Sequence, residues 1–273
     1  MPAVRSERVE EGIELVTLDR PRANAVDVAT SRALHHAFAA AEEDPAVRVT
    51  VLTGAGSAFF CAGWDLKAAA AGEAVDADHG PGGFAGLTEM WGRRTPVVAA
   101  VNGLALGGGF ELALAADLVV AAEHAELALP EATLGLVADS GGLLRLRRAL
   151  PHAVASEMLL TGRRMGAEEA ARWGLVNRVA PADGLLDAAL ELARAVVRSA
   201  PLSVATVLEV EQETAGLGVR DGFARLRSGT LPTYRSLLGS EDALEGPRAF
   251  AERRPPRWVG RQTVQQKNTE GTP

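Results

Sequence analysis

The sequence predicts an α/β fold in which strand, strand and helix recur as a spiral of ββα turns, followed by a helical C-terminal part. Three observations predict it. Apolar, partly β-branched runs at residues 47–52, 97–101 and 118–122 read as strands buried on both faces. Segments with helical apolar spacing lie between them and return at uneven intervals, which argues against a doubly wound sheet. After about Arg163 the strand signals cease and helical spacing takes over.

The elements follow in order. Residues 8–10 and 13–18 alternate in polarity, and Glu11-Gly12 between them marks a hairpin turn. Over 29–43, Leu34, Ala37, Phe38 and Ala41 share one helical face, and Asp44-Pro45 ends it. The strand at 47–52 stops at Thr53-Gly54. A loop (54–63) and a glycine-rich insertion (72–86) come next. Residues 97–101 form a second buried strand and 109–116 a helix, with short strands at 118–122 and 126–129 and a helix at 142–150. Helices are predicted at 167–173, 185–199, 202–214, 219–231 and 240–253. Residues 1–200 are therefore expected to form the core and 201–260 a helical region. The polar, aperiodic stretch 261–273 is expected to be a disordered tail.

Composition narrows the classes of function. Apolar residues make up 47% of the 273 and aromatics only 4%, so the core is expected to be built from small, close-packed side chains. A formal charge of -7 argues against nucleic acid as the main partner. An anionic ligand would instead be met by local backbone N–H groups or a local positive patch. The single cysteine, Cys61, excludes an internal disulfide framework, and the first residues have no apolar signal core, so a reducing, cytoplasmic setting is expected. Residues 96–122 are apolar enough to suggest a membrane span. Asn102, Glu111, Asp117 and the Gly107-Gly108-Gly109 break make them a buried strand, turn and helix instead.

The chemistry-bearing pattern is a pair of glycine turns, each with an acid nearby. Gly107-Gly108-Gly109 opens a helix, whose first N–H groups have no internal acceptor and sit at the positive dipole end. Bare glycines let a ligand oxygen approach that backbone. The loop 60–66 could supply a second N–H, and two converging donors make an oxyanion hole, each donor worth roughly 3–4 kcal/mol in hydrolases. Tight packing turns would explain the glycines equally well. Glu111 lies in the first turn of an otherwise apolar helix, where a carboxylate is costly unless paired or functional, although the dipole alone also favours it there. Glu131 follows Pro130 at the end of a strand, as a catalytic group or as a first-turn acid behind an N1 proline. Together they suggest two carboxyls holding one water. Asp139 is a third acid, either catalytic or a cap for the helix at 142–150. Gly54-Ala55-Gly56 lacks a following helix, Ser140 lacks a nucleophile elbow, and the histidines and cysteine have no zinc spacing, so no dinucleotide cofactor and no metal are expected.

The strings FCAGWDL (60–66), VNGLALGGGFELALAAD (101–117) and LPEATLGLVADSGG (129–142), with RPRANAVD (20–27) and LTGRRMGAEEAARWGLVNRV (160–179), resemble the crotonase, or enoyl-CoA hydratase/isomerase, superfamily over roughly residues 5–260. The resemblance implies a crotonase-like spiral with a C-terminal helical trimerisation region, in a homotrimer or homohexamer acting on an acyl-CoA without other cofactor or metal. It implies reversible syn addition or removal of water on a short 2-enoyl-CoA or 3-hydroxyacyl-CoA. Glu111 would activate the water that attacks Cβ and Glu131 would protonate Cα, with the N–H groups of Ala62 and Gly108 as the oxyanion hole. Ala23, Ala25, Asp65, Leu66, Phe250 and Arg253 would contact CoA. The insertion 62–90 and the helix 240–254 look closest to the branch handling carnitine-type acyl groups, where Trp64 and Asp139 would hold a trimethylammonium group. A general short-chain hydratase, or a dienoyl-CoA isomerase using Asp139, are the alternatives. A catalytically silent CoA-binding protein would be expected to lack one glutamate, and a thioester hydrolase would need an activated nucleophile that is not visible.

Overall fold

The computed structural model describes residues 2–260; the expected tail at 261–273 lies outside the described residues. The chain opens with the antiparallel hairpin β1 (Val4–Glu10) and β2 (Ile13–Leu18), turned by Gly12 at φ 78°. Helix α1 (Val28–Glu43) starts where the Asp27 carboxylate accepts the Thr30 N–H at 2.8 Å and stops at Asp44, before Pro45. Next come β3 (Val49–Gly54), β4 (Phe59–Cys61) and the short α2 (Leu66–Ala70). They are followed by β5 (Val97–Val101), β6 (Leu104–Leu106), α3 (Gly108–Ala115), β7 (Leu118–Ala122) and β8 (Glu126–Ala128).

With two later strands, β9 (Met165–Gly166) and β10 (Arg178–Ala180), two sheets emerge, in the orders β1-β2-β3-β5-β7-β10 and β4-β6-β8-β9. From β3 to β8 successive strands alternate between the large sheet and the small one, as in β5, β6, α3. From β2 onward the large sheet is parallel. All five residues of β5 are buried, and its Ala99 and Ala100 leave room for layers on both faces. The segments that follow β4, β6 and β8 line one cavity.

After Arg163 the expectation of helices alone is wrong. Strands β9 (Met165–Gly166) and β10 (Arg178–Ala180) complete both sheets, flanking α6 (Ala167–Arg172). Strands of two or three residues carry no readable alternation. They exist because a sheet edge is present to pair with: the Asn177 side chain accepts the Val119 N–H at 2.7 Å, and β10 then runs parallel to β7. β4 and β6 escape the sequence reading for the same reason. Helices α4 (Gly142–Ala149) and α5 (His152–Thr161) precede β9 and β10; α5 is not among the predicted helices, since its apolar positions are scattered around the axis. Helix α7 (Leu185–Val197) closes this unit.

A second compact unit comprises Gly92–Arg94 and the residues from Arg198 onward. It holds α8 (Pro201–Thr214), α9 (Val219–Arg227), α10 (Pro232–Leu238) and α11 (Glu241–Ala251). The single helix expected over 219–231 breaks at Gly229, which adopts φ 72°, and Pro232 opens α10. The Glu209 carboxylate accepts the Thr233 and Tyr234 N–H groups at 3.0 and 2.9 Å, satisfying that new helix start. Among the described residues no helix is long and apolar enough to cross a membrane.

Candidate active site

The site is built on the glycine triplet at the start of α3. Gly107 adopts φ 55° and turns the chain from β6 into the helix. Each glycine faces a different wall. A Cβ at 107 would stand 2.8 Å from Glu131 Oε1, one at 108 would stand 2.4 Å from the Phe84 ring, and one at 109 would stand 2.0 Å from the Cys61 carbonyl oxygen. The triplet is therefore both a packing turn and the floor of a cavity, and the two readings open at the sequence level are not exclusive.

Above it runs the loop after β4. The carbonyl of Gly63 accepts the Val26 N–H (2.8 Å), and the Asp65 N–H donates to the Val26 carbonyl (2.9 Å). This pairing turns the Trp64 N–H, between them, away from Val26. A Cβ on Gly63 would lie 2.9 Å from the Gly108 nitrogen, so the loop passes directly beside that amide. The assignment of Ala62 as an oxyanion donor fails here: its N–H donates to the Ala23 carbonyl at 3.0 Å and is occupied. Among the described residues no acceptor is paired with the N–H of Trp64 or of Gly108, and both residues line the cavity. Buried Asn24 and Asn102 anchor the preceding loop, their side-chain amides donating to the Phe59 carbonyl at 2.9 and 3.2 Å.

Both glutamates reach one cavity of about 600 Å³. Glu111 is 3% exposed, and its Oε1 accepts the Gly142 N–H at 2.8 Å, at the N-terminus of α4. Burial pushes its carboxyl up to about 8; the charges of Glu131 and Asp139 add to this, while the Gly142 N–H and Arg145 oppose it. Glu131 is also raised, by burial and then by Asp139, against the pull of its own backbone N–H. Its Oε2 is buried with no hydrogen-bond partner among the described residues. A buried oxygen without a protein partner, on a carboxyl that burial raises, is a feature found at functional sites.

Asp139 also lines the cavity but is exposed. Its alternative reading as a helix cap does not hold, because the N-cap position of α4 is Gly141 and no side chain caps the helix. Trp64 lines the wall with its indole N–H donating to Glu73 at 2.8 Å. Of the expected CoA contacts, Ala23 and Ala25 spend their carbonyls on Ala62 and Arg20. The Asp65 carboxylate caps α2 and pairs with Arg20 at 3.1 Å, and Leu66 is exposed on the cavity wall. Phe250 (exposed) and Arg253 belong to the second unit. The insertion adds wall residues that sequence reasoning did not single out: Asp76, Asp78, His79, Phe84 and Glu89. Only their clustering in one glycine-rich segment could have drawn attention to them. The cavity wall thus holds six carboxylates (Asp76, Asp78, Glu89, Glu111, Glu131, Asp139) and, among the described residues, no lysine or arginine.

The fold and the site together define a class. The enoyl-CoA hydratase/isomerase family model matches residues 8–261, and the chain belongs to that family. Within it, a carnitinyl-CoA dehydratase from Salmonella arizonae is 60% identical over 245 residues, covering 90% of this chain and 94% of the relative. Among solved structures, an enoyl-CoA hydratase from Mycobacterium tuberculosis superposes with a TM-score of 0.86 at 43% identity, over 95% of this chain and all of the other. A carnitinyl-CoA hydratase from Mycobacterium avium superposes with a TM-score of 0.73 at 45% identity, over 95% of this chain and 99% of the other.

Proposed function

We propose that the chain catalyses reversible syn addition and removal of water across Cα–Cβ of a short acyl-CoA thioester, with carnitinyl-CoA and crotonobetainyl-CoA as the substrate pair. The observation that carries this reading is the single cavity holding Glu111 and Glu131 at the start of α3, within a wall of carboxylates. The thioester oxygen accepts the N–H groups of Gly108 and Trp64, which stabilise the negative charge as Cα loses its proton. In dehydration Glu131 takes that proton, the Cβ–O bond breaks, and Glu111 delivers a proton to the departing hydroxyl, which leaves as water. Hydration reverses each transfer. The pair works with one proton between two carboxyls, and the two directions start from its two placements. Glu111, the group that burial keeps protonated near neutral pH, stands ready as the acid of dehydration.

The acyl group is proposed to carry a fixed cation. Acidic walls without a lysine or arginine suit a quaternary ammonium, and the faces of Trp64 and Phe84, with the Asp139 carboxylate, would contribute about 1–2 kcal/mol when desolvated. The names of the relatives support the same choice. In the first unit CoA is proposed to contact Ala23, Ala25, Asp65 and Leu66; Phe250 and Arg253 are proposed as CoA contacts of the second unit taken by itself. A cytoplasmic homotrimer or homohexamer is the proposed assembly, in keeping with the family and with exposed Leu144 and Leu160.

The test is turnover of carnitinyl-CoA, crotonyl-CoA and a dienoyl-CoA in ¹⁸O-water. Hydration with ¹⁸O incorporation and a preference for the trimethylammonium substrate is expected. Dienoyl-CoA isomerisation without incorporation, as the main activity, would overturn the reading.

A further inference from the structure

The cavity wall carries one imidazole that the proton transfers do not use. His79 Nδ1 lies 2.7 Å from Ser31 Oγ, and the same hydroxyl oxygen accepts the Ala85 N–H at 3.0 Å. The Ser31 hydroxyl keeps its own proton to donate, and a neutral ring with its hydrogen on Nε2 can accept it at Nδ1; the opposite tautomer would donate to the second lone pair of Oγ. The ring stands 5.1 Å from that of Phe84, tilted by 60°. Phe84 in turn is pressed against Gly108. His79, Phe84 and the oxyanion glycine thus form one continuous stretch of wall, and Trp64 lines the same cavity.

We propose that His79 is a specificity-determining residue: its uncharged ring is the third aromatic face, beside Trp64 and Phe84, against which the acyl group's quaternary ammonium rests. This rests on the reading of a cationic acyl group given above. A quaternary cation is attracted to the faces of uncharged rings. An imidazolium at the same place would set a like charge beside it. The surroundings favour the neutral ring. Burial lowers its tendency to protonate and Arg32 on α1 adds to this, against the carboxylates of Glu73, Asp78 and Asp27. His35, also on α1, turns its ring nitrogen to the Gly86 carbonyl.

The experiment measures the ratio of kcat/KM for crotonobetainyl-CoA to that for crotonyl-CoA, using the full chain, between about pH 5 and pH 8. Both substrates use the same glutamates and the same CoA, so those titrations cancel in the ratio. The wild-type ratio is expected to fall roughly tenfold towards the acid end as the ring acquires charge. His79→Phe, an aromatic face that cannot titrate, is expected to hold its neutral-pH ratio throughout. His79→Asn, which keeps a polar partner for Ser31 but has no ring, is expected to lose roughly tenfold of the preference at pH 8. A flat wild-type ratio overturns the inference without any variant. An equal acid fall in His79→Phe also overturns it and assigns the effect to the wall carboxylates Asp76, Asp78, Glu89 and Asp139. Absence of any preference for the cationic acyl group, at every pH, sinks the substrate reading itself.

Discussion

Replacing Glu111 by Gln should abolish turnover and make the protein more stable, by an amount that grows with pH. In the unfolded chain this glutamate ionises near 4.5, whereas in the fold burial carries it to about 8. Between those values folding must take up a proton. Below 4.5 the group is neutral in both states and costs little. At pH 5 the penalty is under about 1 kcal/mol, at pH 7 it reaches about 3 kcal/mol, and it levels off once pH exceeds the folded value. The sign is that of a raised carboxyl: stability present in acid is lost as pH rises through the folded value. Gln has the same shape, and its carbonyl oxygen can accept the Gly142 N–H, so the variant removes the titration while preserving the contact. The assay is urea denaturation of both proteins at pH 5 and pH 7, at one protein concentration so that assembly does not shift the midpoints. The gap between them should widen by about 2 kcal/mol across that range. A gap that stays constant would mean that Glu111 is ionised in the folded protein, and its role as the acid of dehydration would go with it.

Other consequences can be checked independently. kcat/KM should fall about tenfold per pH unit above about pH 8 in both directions, because hydration and dehydration draw on the same one-proton pair; an alkaline limb in one direction only would refute this. Gly109→Ala should destabilise by more than about 3 kcal/mol, since the Cys61 backbone occupies the space its Cβ needs, whereas Gly166→Ala, with nothing nearby, should change the denaturation midpoint by less than about 1 kcal/mol equivalent. The Cys61 thiol, buried and pushed up to about 12, should resist alkylation in the folded protein and react as one thiol per chain in denaturant. Asp139→Ala should reduce the preference for crotonobetainyl-CoA over crotonyl-CoA about fivefold; an unchanged preference would remove Asp139 from the cation site.

Local signals in the sequence were enough for several features. Asp44 and Pro45 end α1 wherever it packs, because breakers act on the chain next to them. The 97–101 run is buried on both faces, as its uninterrupted apolar character requires. A carboxylate inside the apolar first turn of α3 drew attention to Glu111, and the pattern of glycines and acids paired it with Glu131; the two line one cavity. Other features depend on partners distant in sequence. Strands such as β9 and β10 exist only once β8 and β7 offer an edge, so no local alternation could reveal them. Which loop amide faces the cavity is decided by the pairing of 62–65 with 23–26: this occupies Ala62, and Trp64 turns the other way. The proton affinity of Glu111 depends on how completely neighbouring elements exclude water from it, and the wall of carboxylates draws on residues from 76 to 139. Hydrogen-bond direction and dielectric environment belong to the assembled fold, because both are set by groups that only tertiary packing brings into contact.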